Sequence, residues 1–367
     1  MRTLIAGGGT GGHLTPALAV ALALRSDRPD DEVAVVGRRD GVAERLVEAA
    51  GIRLETLDIS GVDIGSAGGV ARATTQVTRA TIAARRLLRR MQPDVVVGAG
   101  GYVSVPVVVA ALAQRIPVVL LEQNAVPGRA TRMLARRARI VAASFAETAS
   151  HLPHARVVHT GNPIRAEIRA VTSRPVGDRL RSVLVTGGSQ GARRLNRAIA
   201  GCMVELLSKD PDLRIVHQCG QLDYEAVERA AAALPPPLAA RYTVSAFFDD
   251  MAMRIGQSDL VVMRAGGSSL AECSALGRPM IVVPYPHAGG HQRHNAAPYA
   301  AAGAALLIDD ADCTPERIGR EISALVADPA RWHAMSAASA ALGLPDATDA
   351  VVRLIVEAAG PTRSKAA

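Results

Sequence analysis

The chain has 367 residues, which is too long for one ordinary core. Of these residues, 49% are hydrophobic and 21% are charged, a composition that excludes an intrinsically disordered protein. The formal net charge of +8 favours an anionic partner. The aromatic residues are three Phe, five Tyr and one Trp, too few for the stacking platforms of a protein that binds single-stranded nucleic acid, so no nucleic acid partner is expected.

Cysteine spacing and the first residues indicate a cytoplasmic protein. No two of the four cysteines form a CxxC pair, so neither a zinc site nor a disulfide framework is predicted. Residues 2–6 form a strand rather than a signal peptide. The longest uncharged run, 95–114, contains several glycines and Pro106. We therefore expect a strand, a loop and a buried helix there, not a membrane span.

Short runs of Val, Ile and Leu alternate with Ala- and Arg-rich helical segments along the chain. This alternation predicts α/β domains with parallel sheets. In the first half the strands are expected near 2–6, 32–36, 53–57, 94–98, 117–121, 139–142 and 156–159. In the second half they are expected near 181–186, 213–217, 241–244, 259–263, 280–283 and 304–308.

Both halves begin with a strand, a glycine-rich turn and a helix, at 4–13 and again at 183–192. This repetition predicts two Rossmann-like doubly wound domains facing one cleft, with ligands outside the carboxyl ends of the strands. The domains are expected at 1–161 and 162–345, because the pattern breaks over 161–180. A last helix at 346–358 is expected to complete the first domain.

Three glycine-rich loops follow predicted strands. The first, 7–12, satisfies G-x-G-x-x-G, the dinucleotide fingerprint, and Arg38-Arg39 after the second strand could bind a 2′-phosphate, so an NADP-dependent oxidoreductase is an alternative. His13 lies where the next helix begins. Its position favours a chemical role for this loop over dinucleotide binding. The second loop is 98–106. The third, 187–191, offers backbone N–H groups and the Ser189 hydroxyl at a helix N-terminus, which favours a phosphate.

Seven motifs together resemble the MurG-type glycosyltransferases of peptidoglycan synthesis, over Gly7 to about Asn295. In order, they are Gly8-Gly-Thr-Gly-Gly-His13, Gly100-Gly-Tyr-Val-Ser104, Glu122-Gln-Asn-Ala-Val-Pro-Gly128, Gly161-Asn-Pro-Ile-Arg165, Gly187-Gly-Ser-Gln-Gly191, Arg264-Ala-Gly-Gly-Ser-Ser-Leu-Ala-Glu272 and His291-Gln-Arg-His-Asn-Ala296. The resemblance implies a GT-B fold and an inverting transfer from UDP-N-acetylglucosamine to undecaprenyl-pyrophosphoryl-N-acetylmuramyl-pentapeptide. It also implies no metal, no cofactor, and peripheral attachment to the cytoplasmic face of the cell membrane.

The resemblance also implies site residues. The donor-binding set is Thr10, Gly11, Gly12, Asn124, Arg165, Ser189, Phe248, Gly267, Ser268, Ser269, Glu272 and Gln292. The acceptor-binding set is Gly100, Gly101 and Tyr102. Helix N-termini suit a diphosphate, a carboxylate such as Glu272 suits a ribose diol, and an amide such as Gln292 suits sugar hydroxyls. Arg165 is expected to contact uracil. At position 248 this chain has Phe248, whereas the family usually has an aliphatic residue.

Several assignments stay open at this point. His13 is a candidate general base or a ligand of the acceptor pyrophosphate, and Glu122 either supports its loop or takes part in catalysis. Asp310-Ala-Asp312 imitates a metal-binding D-x-D but is expected to be a solvated turn before an N-cap at Thr314. The histidines of 287–294 lack metal-ligand spacing. The alternative functions are another UDP-sugar enzyme such as an epimerase, the NADP-dependent oxidoreductase, and a basic membrane-binding module without catalysis.

A helix expected over about 70–91 carries arginines and no acid. At 100° per residue, Arg72, Arg79, Arg86 and Arg90 align on one stripe, with Ile82 among them. A second acid-free cluster spans 129–139. The pattern predicts either an ordinary solvated face or a surface that meets anionic lipid headgroups, with Ile82 inserted between them.

Overall fold

The computed structural model describes residues 1–8, 11–38, 42–59, 67–171, 177–287 and 290–360. The chain divides into two compact units. Unit 1 comprises Met1–Ala166 and Asp346–Ala367, and unit 2 comprises Glu167–Pro345. Within the described ranges, no helix is both long and apolar enough to cross a membrane.

Unit 1 is built on a parallel sheet of seven strands, as the alternating pattern predicts. They are β1 (Arg2–Ala6), β2 (Glu32–Gly37), β3 (Arg53–Thr56), β4 (Val95–Gly98), β5 (Val118–Glu122), β6 (Ile140–Ala143) and β7 (Val157–His159). Their order across the sheet is β3-β2-β1-β4-β5-β6-β7. The chain therefore builds the sheet outward in one direction from β1 and in the other from β4, and a crevice forms where the direction changes.

Helices cover both faces of this sheet. They are α1 (Gly11–Asp27), α2 (Val42–Ala49), α3 (Ala67–Met91), α4 (Ser104–Ala113) and α5 (Arg129–Leu134), with short 3-10 helices at Ala135–Arg137 and Ala146–His151. Successive strand residues point to opposite faces. Leu4 belongs to the core under α3 and α4, whereas Ile5 belongs to the core under α1.

Unit 2 has the same kind of architecture, built on a parallel sheet of six strands. They are β8 (Ser182–Thr186), β9 (Arg214–Gln218), β10 (Tyr242–Ser245), β11 (Leu260–Met263), β12 (Met280–Val282) and β13 (Ala305–Leu307), in the order β10-β9-β8-β11-β12-β13. The direction changes between β8 and β11. Its helices begin with α6 (Ala166–Ala170), at the boundary between the units, followed by α7 (Arg193–Lys209), α8 (Tyr224–Ala232), α9 (Pro236–Ala239), α10 (Met251–Gln257), α11 (Gly267–Ala275), α12 (His291–Ala301), α13 (Pro315–Ala327) and α14 (Pro329–Leu342).

The last helix, α15 (Ala347–Ala359), returns to unit 1 and packs beside α1. Val351 and Ile355 are buried in the core that α1 shares with the seven-stranded sheet. The Thr348 hydroxyl donates to the carbonyl of Ile164 at 2.9 Å and accepts the Ile164 N–H at 3.1 Å. This pair of bonds ties the segment that precedes α6 to unit 1.

Candidate functional site

In unit 1 the candidate residues lie at the carboxyl ends of β1, β4 and β5, on both sides of the change of direction. Gly11 and Gly12 begin α1, and His13 lies in its first turn. Gly100, Gly101 and Tyr102 follow β4, and Asn124 follows β5. Thr10 lies outside the described residues. The structure thus brings segments more than 80 residues apart in sequence to one sheet edge, the place where such sheets bind ligands.

The His13 imidazole is held by a side chain that the motif analysis did not single out. Its Nδ1 lies 3.0 Å from Oε1 of Gln123. Gln123 is buried, and its Nε2 donates to the carbonyl of Ala99 at 3.0 Å. His13 itself is half-buried. The ring is therefore anchored through one nitrogen at the end of β5 while its helix begins after β1.

Gly100 and Gly101 provide the space in which this ring lies. A Cβ on Gly100 would stand 2.6 Å from Nδ1 of His13, and one on Gly101 would stand 2.1 Å from the carbonyl oxygen of Gly8. Their φ angles are +94° and +77°, in the region that favours glycine. Both glycines are therefore required by the close approach of the β4 loop to the β1 loop, whatever they do for a substrate.

Glu122 supports the loop that follows β5. One carboxylate oxygen accepts the backbone N–H and the Nδ2 of Asn124, at 3.1 and 3.0 Å, and the other accepts the N–H of Gly128 at 3.1 Å. The side chain is buried. Of the two roles left open by the sequence, these contacts favour structural support of the loop over catalysis. They also fix the Asn124 amide nitrogen toward Glu122.

In unit 2 the corresponding edge carries a glycine loop and a helix N-terminus. Ser189 is exposed in the turn between β8 and α7. Gly191 donates its N–H to the Gly188 carbonyl at 3.1 Å, inside the loop. The Gly191 amide is therefore engaged inside the loop. The Ser189 hydroxyl lies on the exposed side of the turn and remains a candidate for that role.

Gln218, at the end of β9, organises this loop. Its buried Nε2 donates to the Gly188 carbonyl at 3.2 Å, and its Oε1 accepts the Phe248 N–H at 3.0 Å. A backbone contact from Phe248 to a base would therefore have to use its carbonyl. The Phe248 ring is buried beneath the Arg254 guanidinium, whose central carbon lies 4.1 Å from the ring centroid.

The first turn of α11 presents Gly267, Ser268 and Ser269, with Gly266 as the capping residue. The leading N–H groups of a helix have no acceptor within the helix and carry partial positive charge, so this turn suits an anion. Glu272 lies further along α11 and is buried.

Gln292, in the first turn of α12, joins two loops. Its Oε1 accepts the N–H of Ala265 at 3.1 Å and the N–H of Tyr285 at 2.9 Å. Ala265 follows β11 and Tyr285 follows β12, so one amide oxygen holds the ends of two adjacent strands. In this arrangement the oxygen is engaged, and the NH₂ group is the part of Gln292 that suits a sugar hydroxyl.

Asp310 forms ion pairs that the sequence analysis did not predict. It lies in a 3-10 helix, Asp310–Asp312, and its side chain is 15% exposed. It pairs with Arg264 at 2.6 Å and with Arg194 at 3.2 Å. The expected solvated turn is therefore wrong for Asp310, because this carboxylate neutralises two arginines, whereas Ala311 and Asp312 are exposed. Thr314 does cap α13, accepting the Arg317 N–H at 3.2 Å.

Arg165 lies just before α6, in the segment that α15 holds. Across the described residues, no group of three or more His, Cys, Asp or Glu side chains could hold a metal ion. Gln123 and Gln218 are the site residues that motif reasoning missed. The available signal was an amide at the end of an otherwise apolar strand, where a buried polar group needs partners.

Comparisons with known proteins extend over almost the whole chain. Residues 3–143 match the N-terminal domain of glycosyltransferase family 28, and residues 182–351 match its C-terminal domain. The chain is 39% identical to the UDP-N-acetylglucosamine–N-acetylmuramyl-(pentapeptide) pyrophosphoryl-undecaprenol N-acetylglucosamine transferase of Desulforudis audaxviator, over 98% of this chain and 99% of the relative. It is 42% identical to the transferase of the same name from Rhodospirillum centenum, over 97% and 94%.

A solved structure is similar as well. The crystal structure of Acinetobacter baumannii MurG matches with a TM-score of 0.75 and 31% identity, covering 97% of this chain and 99% of that one. The predicted fold class, two Rossmann-like parallel-sheet domains of the GT-B type, is confirmed.

Proposed function

The chain belongs to the family of UDP-N-acetylglucosamine–N-acetylmuramyl-(pentapeptide) pyrophosphoryl-undecaprenol N-acetylglucosamine transferases, and on that premise we propose how its two units divide the reaction. N-acetylglucosamine passes from UDP-N-acetylglucosamine to the C4 hydroxyl of the muramyl sugar of undecaprenyl-pyrophosphoryl-N-acetylmuramyl-pentapeptide, converting lipid I to lipid II. Unit 1 binds this acceptor, and unit 2 supplies most of the contacts to the UDP-sugar.

The observation that carries this division is the difference between the two sheet edges. The edge of unit 1 presents a half-buried imidazole, that of His13, held at Nδ1. The edge of unit 2 presents neutral donors and the positive end of α11. A base is what an attacking hydroxyl requires, and a helix N-terminus is what a diphosphate leaving group requires. The proposed mechanism therefore uses no metal and no cofactor.

In the transfer step, the muramyl C4 hydroxyl gives its proton to His13 while its oxygen bonds to C1 of N-acetylglucosamine. The bond between C1 and the diphosphate oxygen breaks, and its electron pair leaves with UDP. Attack opposite the leaving group inverts the anomeric centre. The second role considered for His13 is to bind the acceptor pyrophosphate, and the turnover of a His13 variant distinguishes the two.

The chemistry of each group supports the proposed donor contacts. The first turn of α11 and the Ser189 hydroxyl receive the diphosphate, Glu272 receives the ribose diol, and the NH₂ group of Gln292 donates to a sugar hydroxyl. Arg165 and the Phe248 carbonyl contact uracil. Thr10, Gly11, Gly12 and Asn124 complete the donor set from unit 1, and Gly100, Gly101 and Tyr102 line the acceptor side.

The test of function measures UDP release from UDP-N-acetylglucosamine with and without a lipid-linked muramyl acceptor. We expect release that depends on the acceptor. UDP and the UDP-sugar, but not NADPH, should raise the thermal midpoint, because a ligand that binds the native state stabilises it. Epimerised sugar without UDP release, or stabilisation by NADPH alone, would support the epimerase or the oxidoreductase instead.

We also propose that the protein attaches peripherally to the cytoplasmic membrane face through α3. Ala80 and Ala84 are buried in the core of unit 1, while Ile82 is 50% exposed. Around Ile82 stand exposed arginines, Arg79, Arg85, Arg86 and Arg89. Each arginine near anionic lipid contributes about 1 kcal/mol, reduced by salt.

The stripe predicted from the sequence needs one revision. Arg90 pairs with Glu55 at 2.6 Å, so part of its charge is neutralised within unit 1. The side chain of Arg72 lies outside the described residues. The arginines that support the proposed membrane surface are therefore those listed around Ile82, together with the second cluster at 129–139.

Vesicle co-sedimentation tests this surface. Changing Arg79, Arg86 and Arg89 to glutamate should abolish binding to anionic vesicles and leave reaction with a soluble acceptor largely intact. A matched control changes Arg214, Arg320 and Arg331, exposed arginines of unit 2, by the same total charge. Equal loss in both triple variants would show a response to net charge alone and contradict the proposed surface.

A further inference from the structure

The contacts of Gln123 determine which of its amide atoms faces His13. Its Nε2 donates to the Ala99 carbonyl at 3.0 Å, and its Oε1 lies 3.0 Å from Nδ1 of His13. A backbone carbonyl only accepts hydrogen bonds, so the opposite orientation of the amide would place two oxygens against each other and lose the contact to Ala99. Gln123 is 4% exposed, so water would not replace that hydrogen bond. The oxygen therefore faces the imidazole.

This orientation fixes the hydrogen on the ring. An amide oxygen only accepts, so Nδ1 of His13 must carry the hydrogen, and in the neutral ring the lone pair is then on Nε2. We infer that Gln123 is a positioning residue that selects the Nδ1–H tautomer of His13 and thereby makes Nε2 the proton acceptor. The inference deepens the proposed function and rests on it for its consequence in catalysis, but not for the tautomer itself.

The backbone of the β4 loop restrains the ring further. A Cβ on Gly100 would stand 2.6 Å from Nδ1 and 2.9 Å from Cε1 of His13, so this side of the ring lies directly against the glycine. Gln123 therefore meets a ring whose position is already limited by packing. The hydrogen bond to Gln123 then determines which of the two ring nitrogens carries the hydrogen.

The choice of a neutral partner has a chemical consequence. A carboxylate in this position would select the same tautomer and would also stabilise the imidazolium that forms when the acceptor hydroxyl is deprotonated. An amide orients the ring without adding a negative charge beside it. The balance of the step is unchanged, since the hydroxyl proton moves to Nε2 and the bond from C1 to UDP breaks with its electron pair.

The test is ¹⁵N NMR of histidine-labelled protein, with the His13 resonances assigned by their loss in His13→Ala. In the wild type we expect Nδ1 in the pyrrole-like range and Nε2 in the pyridine-like range. Gln123→Met, of similar length but without an acceptor, should give a mixture of both tautomers. Gln123→Glu should restore the wild-type pattern at a pH at which the ring is neutral, because it returns an acceptor to Nδ1.

Kinetics provide the second readout. Losing one neutral hydrogen bond should lower kcat of Gln123→Met about three- to tenfold, with the KM values of both substrates nearly unchanged. A wild-type Nε2 that carries the hydrogen, or a Gln123→Met protein that keeps the wild-type ¹⁵N pattern, would overturn the inference. If Gln123→Met does not fold, the wild-type pattern and its retention in Gln123→Glu decide. A wild-type turnover number in His13→Ala would instead remove the proposed base and leave the tautomer result standing.

Discussion

The two units share a topology, and each holds a histidine in a different way. In unit 1, His13 is half-buried and bonded through Nδ1 to Gln123. In unit 2, His217 in β9 is buried, and both its ring nitrogens are engaged: Nδ1 accepts from the Tyr242 hydroxyl at 2.6 Å, and Nε2 donates to Oδ1 of Asn196 at 3.0 Å. A histidine with both nitrogens bonded inside the core is structural, whereas one whose contact within the described residues uses a single nitrogen, at a candidate ligand-binding edge, can exchange a proton.

The two buried glutamines, one in each unit, also differ in the groups that they hold. Gln123 orients a side chain, whereas Gln218 holds the backbone of the glycine loop and of Phe248. Neutral amides suit both tasks because they donate and accept at fixed positions. In the proposed mechanism, one topology thus supports chemistry in unit 1 and binding in unit 2, according to what the amide at the strand end holds.

The largest expected effect is that of His13→Ala. General-base catalysis contributes roughly 10²- to 10⁴-fold, so kcat should fall by about that factor while the dissociation constant of UDP-N-acetylglucosamine stays nearly unchanged. Steady-state kinetics and calorimetry measure the two quantities. His154→Ala, at an exposed histidine of unit 1, is the matched control and should keep the wild-type kcat. A loss confined to the KM of the acceptor would assign His13 to pyrophosphate binding.

Sequence reasoning predicted the regular parts of the molecule well, since strands buried on both faces have a strong apolar signal. It also located His13 and the glycine loops. It could not find the partners of these residues, because Gln123 and His13 are 110 positions apart and only the sheet order brings them together. For the same reason it missed the pairing of Asp310 with Arg264, since a local D-x-D pattern contains no information on distant arginines.

A smaller effect is expected at Gln292, where the structure separates two functions of one amide. Gln292→Glu keeps an oxygen for the N–H groups of Ala265 and Tyr285 but removes the NH₂ donor, whereas Gln292→Ala removes both. Both variants should reduce the kcat/KM preference for UDP-N-acetylglucosamine over its C4 epimer, by up to about tenfold for one hydrogen bond. Only Gln292→Ala should also lower the thermal midpoint.

The matched comparison for this prediction is Glu272→Gln, on α11. Its proposed contact is the ribose, so it should weaken binding of UDP itself and leave the preference between the two sugars unchanged. Equal loss of UDP affinity in the Glu272 and Gln292 variants, with no change in sugar preference, would contradict the division of contacts within unit 2.

The smallest effect on activity, and a test of the contrast between the two histidines, concerns His217. Burial lowers the pKa of His217 to about 4 from its ordinary value of 6.5. Between these values the unfolded chain binds more protons at this residue than the folded protein does, so stability rises with pH. The stabilisation is complete above about pH 6.5 and is lost as the pH falls toward 4, by at most about 1.4 kcal/mol per pH unit.

Urea unfolding midpoints at pH 7, 6 and 5 measure this dependence. His217→Gln can still accept from Tyr242 and donate to Asn196 but does not titrate, so its midpoint should vary less over this range than that of the wild type. Asp31, Glu316 and Glu357 have lowered pKa values, so their contributions are lost mainly at lower pH. An identical pH dependence in wild type and variant would show that His217 does not have to stay neutral in the folded protein. The distinction between a structural histidine in unit 2 and a proton-accepting one in unit 1 would then lose its physical basis.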